Sequence, residues 1–323
     1  MAERDDPAPG PGEVRVRVRA AGVNFADLMA RIGVYPDAPK PPCVLGYEVA
    51  GEVDAVGEGV EGVAPGDRVM AGTRFGGYAE LAVTKVGAVV PLPGDWSFEE
   101  GASFPVNFAT AYAGLVRYGN VQAGERVLLH AAAGGVGIAA TQIAKRLGAE
   151  IYGTASGAKH EAIRGFGVDH TIDYRTSDFA DEVRRIAGEK RPLDLVMDAQ
   201  GGRSWKRSAS LLRPGGRLVM FGVAELVAGE RRDIVRAVRT LARTPRFNPI
   251  RLASDSIGVI GLNLLRLWDA KGSLDEYIVP LQKWVDAGDL RPVVAEAFPL
   301  ERGGEAHRFL QERRNIGKAV LTL

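Results

Sequence analysis

The chain has 323 residues, of which 46% are hydrophobic and 25% charged, and its formal net charge is +1. A chain of this length exceeds one ordinary hydrophobic core, so we expect two domains of a globular protein. The nearly neutral charge gives no reason to expect a nucleic acid partner. Its single cysteine, Cys43, excludes an intramolecular disulfide and a thiolate-cluster metal site, which is typical of the reducing cytoplasm.

The first third of the chain is predicted to be rich in strands and loops. Residues 1–6 contain no apolar signal region, so export is not expected. After a turn-rich leader at 7–12, apolar and charged residues alternate over 14–19, which predicts a half-solvated strand. Short strands are also predicted over 49–56 and 67–71.

From about Phe108 onward, strands alternate with helical patterns. The predicted strands cover residues 126–130, 150–154, 171–174, 193–198, 217–222 and 257–262. The predicted helices cover residues 109–118, 138–147, 159–165, 179–187 and 204–212. This alternation predicts an α/β fold with a doubly wound parallel sheet of the Rossmann type. Two further helices, over 274–287 and 303–312, and a closing strand over 318–323 complete the prediction.

Residues 130–137 read HAAAGGVG between a predicted strand and a predicted helix. Ala132, Gly134 and Gly137 occupy the three glycine positions of the G-x-G-x-x-G pattern. Such a loop lets backbone approach a pyrophosphate, and the helix N-terminus supplies N–H donors. Glycine-rich loops also occur as ordinary turns, so the flanking elements favour the cofactor site. The predicted pyrophosphate contacts are Ala133, Gly134, Gly135 and Val136.

Two stretches have patterns that also occur in membrane-associated proteins. Residues 127–144 are mostly apolar over about 18 residues, but their glycines, His130 and Gln142 assign them to the cofactor strand and helix, so no stable membrane insertion is expected. The second stretch has apolar residues at helical spacing among arginines. These arginines are Arg231, Arg232, Arg236, Arg239, Arg243, Arg246 and Arg251. They form either a solvated helix face or a patch for an acidic partner or a lipid surface.

The residues after the second predicted Rossmann strand bear on the choice of cofactor. NAD-binding folds usually place an Asp or Glu there, whose carboxylate accepts the ribose hydroxyls. Here the strand continues into Ser156 and Lys159 with no carboxylate between them. A hydroxyl and a cation suit a 2′-phosphate, so NADPH is favoured over NADH. Ser156 also suits a helix cap, which is compatible with that role.

Several motifs in order resemble the zinc-independent medium-chain dehydrogenase/reductase family, in particular the quinone oxidoreductases and VAT-1 homologues. They are AGVNFADLMAR (21–31), LGYEVAG (45–51), GDRV (66–69), VNFATAY (106–112), the glycine loop, GTAS (153–156), IDY (172–174) and NIGK (315–318). The resemblance covers nearly the whole chain. It implies a β-rich GroES-like catalytic domain from residues 1–107 and 265–323, and an NADPH-binding Rossmann domain from 108–264. It also implies a homodimer in which the 257–262 strands pair edge to edge.

The resemblance also implies roles for single residues. Asn24 is similar to a family asparagine near the nicotinamide, and Thr110 to a threonine beside it. The implied adenosine and 2′-phosphate contacts are Gly153, Ser156, Lys159 and Tyr174. The implied contacts of the nicotinamide half are Gly222, Gly261, Leu262 and Asn315. Simpler interpretations of Asn24 and Tyr174 also exist, since an asparagine in a loop is usually a turn residue and a tyrosine side chain more often serves packing than stacking.

Zinc-dependent relatives have a cysteine in the first motif and Gly-His-Glu in the second. This chain has no cysteine near Asn24 and has Tyr47 in place of the histidine, so no metal site is predicted. Without a metal, the acceptor must be activated by its own conjugation, as quinones and α,β-unsaturated carbonyls (enones and enoyl groups) are. The predicted catalytic residues are Asn24, which bonds the oxyanion or the nicotinamide, and Tyr35, a donor or part of the pocket wall. Met29 replaces a tyrosine of related quinone oxidoreductases and indicates a more apolar pocket.

Two expectations remain open. Family members have about twenty residues before the segment that matches 7–18, so we expect either a truncated start or an unpaired sheet edge. The alternative function is a weakly active, NADPH-binding interaction protein of the VAT-1 type. Such a protein would use the arginine-rich helix to meet a membrane or a partner.

Overall fold

The computed structural model describes residues 2–227 and 234–323. The described chain divides into two compact units: unit 1 comprises residues 2–109 and 264–323, and unit 2 comprises 110–227 and 234–263. From the sequence, we expect these boundaries at 107/108 and 264/265.

The structure contains strands and helices throughout the described ranges. The strands are β1 Glu13–Val23, β2 Glu48–Val56, β3 Arg68–Gly72, β4 Leu81–Lys85, β5 Val89–Pro91, β6 Arg126–Leu129, β7 Glu150–Ala155, β8 His170–Asp173, β9 Leu193–Asp198, β10 Leu212–Met220, β11 Gly258–Gly261, β12 Val294–Pro299 and β13 Lys318–Thr322. The helices are α1 Phe25–Arg31, α2 Phe98–Gly101, α3 Pro105–Tyr112, α4 Gly135–Arg146, α5 His160–Gly165, α6 Phe179–Ala187, α7 Arg203–Ala209, α8 Ile234–Arg243, α9 Pro249–Asp255, α10 Leu264–Lys271, α11 Asp275–Asp286 and α12 Gly303–Gln311.

Unit 1 is built around a seven-stranded sheet of order β12-β13-β1-β2-β3-β5, with β4 also paired to β1. The alternation predicted for β1 is present, because Val14, Val16 and Val18 are buried while Arg15 and Arg17 bind Asp54. Strand β13 pairs antiparallel with β1. Residues from both ends of the chain therefore meet in one sheet.

Unit 2 is a six-stranded sheet of order β11-β10-β9-β6-β7-β8, and all its pairings are parallel. This is the doubly wound order, with its topological switch point between β6 and β9. The predicted parallel Rossmann sheet is thus confirmed. Its core on one face includes Leu128, Tyr152, Ile172, Phe179, Val183, Leu193, Val196 and Leu218.

Some predicted elements have different bounds. The helix predicted over 204–212 ends at Ala209, because Leu212 pairs with Leu193 and starts β10 earlier than expected. The helix predicted over 109–118 begins at Pro105 and continues as a π-helical turn over Ala113–Arg117. Of the predicted arginine cluster, Arg231 and Arg232 lie outside the described residues.

Candidate functional site

The glycine loop joins β6 to α4 at the carboxyl edge of the parallel sheet. Gly134 is the N-cap of α4, and the first bond inside the helix runs from the Ile138 N–H to the Gly134 carbonyl at 2.9 Å. The N–H groups of the first turn precede this bond and are therefore available to an anion. A Cβ on Gly137 would lie 2.3 Å from the carbonyl oxygen of Ala131, so only glycine fits there. The loop has the shape that a dinucleotide pyrophosphate requires.

A buried polar network supports this loop from beneath. His130 Nε2 lies 3.1 Å from Ser208 Oγ, and its Nδ1 lies 3.2 Å from Thr154 Oγ1. Ser208 donates to Asp198 Oδ2 at 2.7 Å, and burial lowers the pKa of His130, which favours the neutral ring. The serine hydroxyl is turned to the aspartate rather than to the histidine. The group is therefore not a nucleophilic triad, and it ties together the strand ends that carry the loop.

Residues predicted to bind the adenosine end follow β7 and β8. Ser156 is buried and makes no side-chain capping bond, so its hydroxyl is not used by the helix that follows. Lys159 is half-buried and Tyr174 is 36% exposed. The Gly153 site is tight, because a Cβ there would approach Ala132 Cβ to 2.9 Å.

Two residues at this edge, Asp173 and Arg175, were not predicted from the sequence. Asp173 accepts backbone N–H bonds from Gly157 and Arg175, both at 2.9 Å, and so fastens the β7 and β8 loops together. Arg175 is exposed, and within the described ranges its guanidinium forms no ion pair. The edge thus offers cations and a hydroxyl, and the Asp173 carboxylate is engaged by backbone donors.

The remaining predicted cofactor residues are distributed over both units. Gly222 follows β10, and Gly261 ends β11. Leu262 is buried, and its N–H donates to the Met220 carbonyl at 2.8 Å. Thr110 is buried in α3. In unit 1, the Asn315 side chain donates to the Gly317 carbonyl at 2.8 Å, as a turn residue does.

Four buried polar side chains meet in unit 1, and we call them the Asn24 network. Its members are Asn24, Glu48, Asn107 and Lys318, with exposed fractions of 8%, 0%, 4% and 3%. Lys318 Nζ donates to Glu48 Oε1 and Asn24 Oδ1, both at 2.5 Å, and lies 3.5 Å from Asn107 Oδ1. Asn24 Nδ2 donates to Glu48 Oε1 at 2.9 Å. The pairing neutralises two charges that would be costly if buried alone.

The sequence motifs contain Glu48 and Lys318, but we assigned them no role. The available signal was a charged residue at the start of each of two strands, directly before a run of apolar residues. Burial of such a residue requires a partner.

A second buried carboxyl lies next to this network. Asp27 is fully buried, and its oxygens accept N–H bonds from Asn24 at 2.8 Å and Gly46 at 2.9 Å. Burial raises the pKa of Asp27 to about 7, although the two backbone donors oppose the shift. This carboxyl joins the start of α1 to the turn before β2.

An aromatic cluster surrounds the position where zinc-dependent relatives have a histidine. Tyr47 is 6% exposed and packs against Phe75 and Tyr35, with ring centroids 4.9 Å and 6.2 Å away. Its hydroxyl is buried and has no hydrogen-bond partner among residues 2–227 and 234–323. Tyr35, the predicted catalytic tyrosine, is half-buried, as is Met29.

Helix α8 carries an apolar surface that faces outward. Val235, Val238 and Leu241 are 72%, 61% and 68% exposed, whereas Thr240 is buried. Arg239 is exposed beside this apolar face. We call the exposed part of α8 the arginine-rich face.

Among residues 2–227 and 234–323, no group of three or more His, Cys, Asp or Glu side chains is placed to hold a metal ion. No described helix has both the length and the apolar character needed to cross a membrane.

Comparison with known proteins identifies the family. The alcohol dehydrogenase GroES-like domain profile matches residues 10–94, and the zinc-binding dehydrogenase profile matches 166–321. The chain is 39% identical to the synaptic vesicle membrane protein VAT-1 homolog of Homo sapiens over 316 residues, 98% of this chain and 80% of that protein. It is 39% identical to the Danio rerio VAT-1 homolog over 305 residues, 94% of this chain. The chain spans only 63% of that relative's length.

Solved structures agree with these sequence matches. A Pseudomonas syringae quinone oxidoreductase has a TM-score of 0.85 and 34% identity, covering 100% of this chain and 94% of that one. The CurK enoyl reductase has a TM-score of 0.84 and 30% identity, with 99% and 93% covered. Mycobacterial Rv1454c, solved with NADPH, has a TM-score of 0.85 and 30% identity, with 100% and 94% covered.

The two sheets and these matches define the class of protein. The chain belongs to the medium-chain dehydrogenase/reductase family, whose members combine a GroES-like domain with a nicotinamide-binding Rossmann domain. Within that family it is similar to the VAT-1 homologues and quinone oxidoreductases. The predicted family and fold class are confirmed.

Proposed function

We propose that the chain is an NADPH-dependent reductase of quinones or α,β-unsaturated carbonyl compounds that acts without a metal. The observation that carries the choice of cofactor is the edge formed by the ends of β7 and β8. Ser156, Lys159 and Arg175 supply a hydroxyl and two cations there, and the Asp173 carboxylate is held by two backbone N–H groups. A 2′-phosphate gains charge-assisted hydrogen bonds at such an edge.

The rest of the cofactor is assigned to the other predicted contacts. The first-turn N–H groups of α4 would hold the pyrophosphate, and the narrow space at Gly137 fits a loop that approaches it closely. Gly222, Gly261, Leu262, Thr110 and Asn315 remain the proposed contacts of the nicotinamide half. When bound, the reduced nicotinamide supplies a hydride to the electrophilic carbon of the acceptor.

The protein's contribution to this reaction is orientation and charge stabilisation. Both donor hydrogens of the Asn24 amide face acceptors within unit 1, Glu48 Oε1 at 2.9 Å and the Gly22 carbonyl at 3.5 Å. Asn24 has two proposed roles, contact with the nicotinamide and donation to an oxyanion. Because its N–H groups already face acceptors, the first role, through Oδ1, is favoured. We assign to Tyr35 the donation of a hydrogen bond to the acceptor oxygen. Water supplies the proton, since an ordinary tyrosine is a weak acid near neutrality.

Steady-state kinetics test this proposal. NADPH and NADH oxidation are measured against a panel of quinones and enones for the wild type and for Lys159→Ala combined with Arg175→Ala. We expect the variant to raise the KM for NADPH about tenfold, equivalent to about 1.4 kcal/mol, and to leave that for NADH unchanged. Arg164→Ala, which removes an exposed arginine bonded to Thr171, is the matched control. Absence of turnover with every acceptor would reject the reductase, and a preference for NADH would reject the cofactor choice.

A second candidate function is a membrane-surface protein with little turnover, and the arginine-rich face of α8 favours it. Exposed valine and leucine side chains beside arginines suit the interface of an anionic bilayer. The relatives' name, vesicle membrane protein, agrees with this candidate. Sedimentation with phosphatidylserine vesicles tests it, with Arg239→Gln combined with Arg243→Gln as the variant. Equal sedimentation of variant and wild type would remove its support.

We also propose the homodimer that the family resemblance implies. Strand β11 is at the end of the parallel sheet and pairs only with β10 in the described chain. Its open edge suits pairing with a second copy. Light scattering that shows a monomer would reject this proposal.

A further inference from the structure

We infer that His130, Thr154 and Ser208 are positioning residues, which hold the glycine loop in the shape that binds the cofactor pyrophosphate. They act through a hydrogen-bond chain that begins at the buried carboxylate of Asp198 and ends at the backbone N–H of Ala131. The inference rests on the proposed function, because it concerns how this loop is prepared for a dinucleotide. All parts of the chain lie in unit 2.

Ala131 is the strained point of the glycine loop. Its φ angle is 54°, in the left-handed region that is unfavourable for a residue with a Cβ. Its carbonyl oxygen accepts the Gly134 N–H at 2.9 Å and so closes the turn before α4. The position of a Cβ on Gly137 lies 2.3 Å from the same oxygen, so the first turn of α4 packs directly on this peptide. The loop therefore depends on a conformation that its surroundings must impose.

Thr154 supplies the contacts that hold this conformation. Its Oγ1 accepts the Ala131 N–H at 3.2 Å, and its backbone carbonyl accepts the Ala132 N–H at 3.0 Å. The side chain is buried and comes from β7, which lies beside β6 in the sheet. An N–H group only donates, so the threonine oxygen is the acceptor and its own hydrogen is left to donate. His130 Nδ1 lies 3.2 Å from that oxygen.

The other end of the chain is anchored at Asp198. This carboxylate is fully buried at the end of β9 and accepts three hydrogen bonds at 2.7 Å, from the Gln200 N–H and from the hydroxyls of Ser204 and Ser208. The two serines are one turn apart on α7, so they share a face of that helix. Strands β9, β6 and β7 are neighbours in the sheet. The chain thus crosses the carboxyl ends of three adjacent strands.

The two ends fix the direction of every bond between them. Ser208 donates to Asp198, so its oxygen is left to accept from His130 Nε2 at 3.1 Å. Burial lowers the pKa of His130, so the ring is neutral and carries one hydrogen. With that hydrogen on Nε2, Nδ1 accepts from the Thr154 hydroxyl. The opposite tautomer would set two acceptors, Nε2 and the Ser208 oxygen, against each other.

Fluorescence titrations with NADPH and NADH test the inference. Thr154→Val removes the hydroxyl at nearly constant volume, so only a fraction of the molecules keeps Ala131 in the strained conformation before the cofactor binds. We expect Kd to rise by the same factor, about tenfold, for both cofactors, because both carry the pyrophosphate. Thr154→Ser keeps the hydroxyl and is expected to bind as the wild type does. Thr171→Val on β8 is the matched control and should leave Kd unchanged.

A double-mutant cycle separates positioning from a purely structural role. Ser208→Ala interrupts the chain before His130 and should raise Kd by a smaller factor than Thr154→Val does. Because Ser208 acts through Thr154, the double variant is expected to bind as Thr154→Val alone does. Ser210→Ala removes a hydroxyl that bonds the Arg207 carbonyl directly after α7. This control should leave Kd unchanged.

The outcomes separate the inference from the proposed function. A wild type that binds neither cofactor rejects the proposed function and the inference with it. A wild type that binds, with an unchanged Kd for Thr154→Val or with losses that add in the double variant, overturns the inference alone. A rise of Kd for NADPH but not for NADH also overturns it, because the effect would then lie at the 2′-phosphate.

A measurement on the wild type covers the case in which the variants do not fold. The tautomer of His130 is read from the nitrogen and carbon chemical shifts of its ring in protein labelled at histidine. The signals are assigned by elimination, with one variant at a time from the set His160→Gln, His170→Gln and His307→Gln. We expect a neutral ring with its hydrogen on Nε2. A hydrogen on Nδ1, or a charged ring near neutral pH, would overturn the inference.

Discussion

The buried carboxyl of Asp27 makes the stability of the chain depend on pH in an unusual direction. Its pKa is about 7 in the folded chain, against about 3.9 for an unperturbed aspartate. The folded state therefore binds the proton more tightly than the unfolded state. This contribution to stability is complete below about pH 4 and is lost as the pH rises through about 7.

The magnitude follows from the two pKa values. Lowering the pH from 8 to 5 protonates Asp27 in the folded chain, and this adds about 3 kcal/mol to the free energy of unfolding. Asp27→Asn does not titrate, and its altered hydrogen bonds to the N–H groups of Asn24 and Gly46 subtract a constant of about 1–3 kcal/mol. The difference in unfolding free energy between wild type and Asp27→Asn should therefore grow by about 3 kcal/mol on going from pH 8 to pH 5.

Urea denaturation of both chains at pH 5, 6, 7 and 8 measures this difference. Asp54→Asn is the matched control, because hydrogen bonds from Arg15 and Arg17 lower the pKa of Asp54. That carboxyl is ionised in both states across this range, so the wild type and the control should differ by a constant. A constant difference for Asp27→Asn as well, or one that grows toward pH 8, would refute the assignment of a raised pKa to Asp27.

Two further predictions concern single side chains. Tyr47→Phe removes a buried hydroxyl that has no partner within the described chain, and it should raise the free energy of unfolding by about 1 kcal/mol in thermal denaturation; a loss of stability would show that the hydroxyl is bonded. Gly137→Ala sets a methyl group 2.3 Å from the Ala131 oxygen, and it should cost about 1–3 kcal/mol of stability and weaken NADPH binding in fluorescence titration. Gly165→Ala, at a helical site with no atom near the added Cβ, is its control and should be neutral or stabilising by up to about 1 kcal/mol; equal losses in both variants would contradict the packing argument.

The apolar spacing on α8 was predicted from the sequence, but its direction was not. Periodicity shows that Val235, Val238 and Leu241 share one face of a helix. Whether that face packs inward depends on what lies beside it, and here all three side chains are exposed while Thr240 is buried. A sequence pattern does not distinguish a core-facing stripe from one that is open to solvent.

The adenosine edge shows a similar limit. The absence of a carboxylate after β7 was visible in the sequence, because it concerns consecutive residues. Asp173 and Arg175 follow the next strand, and they reach the same edge only because β7 and β8 pair in parallel with Ala155 opposite Asp173. That register placed one more cation there, and it placed a carboxylate that backbone N–H groups engage.

The sequence by itself determined the parallel sheet, the glycine loop and the family. Strand and helix periodicity and the 130–137 motif are properties of neighbouring residues, so they can be read without a fold. Only the tertiary structure decided what Asn24 does with its amide. Its partners lie 24 residues away at Glu48 and 294 residues away at Lys318, and antiparallel pairing of β1 with β13 brings the two ends of the chain into one sheet. The orientation of one side chain therefore depends on contacts that no local pattern encodes.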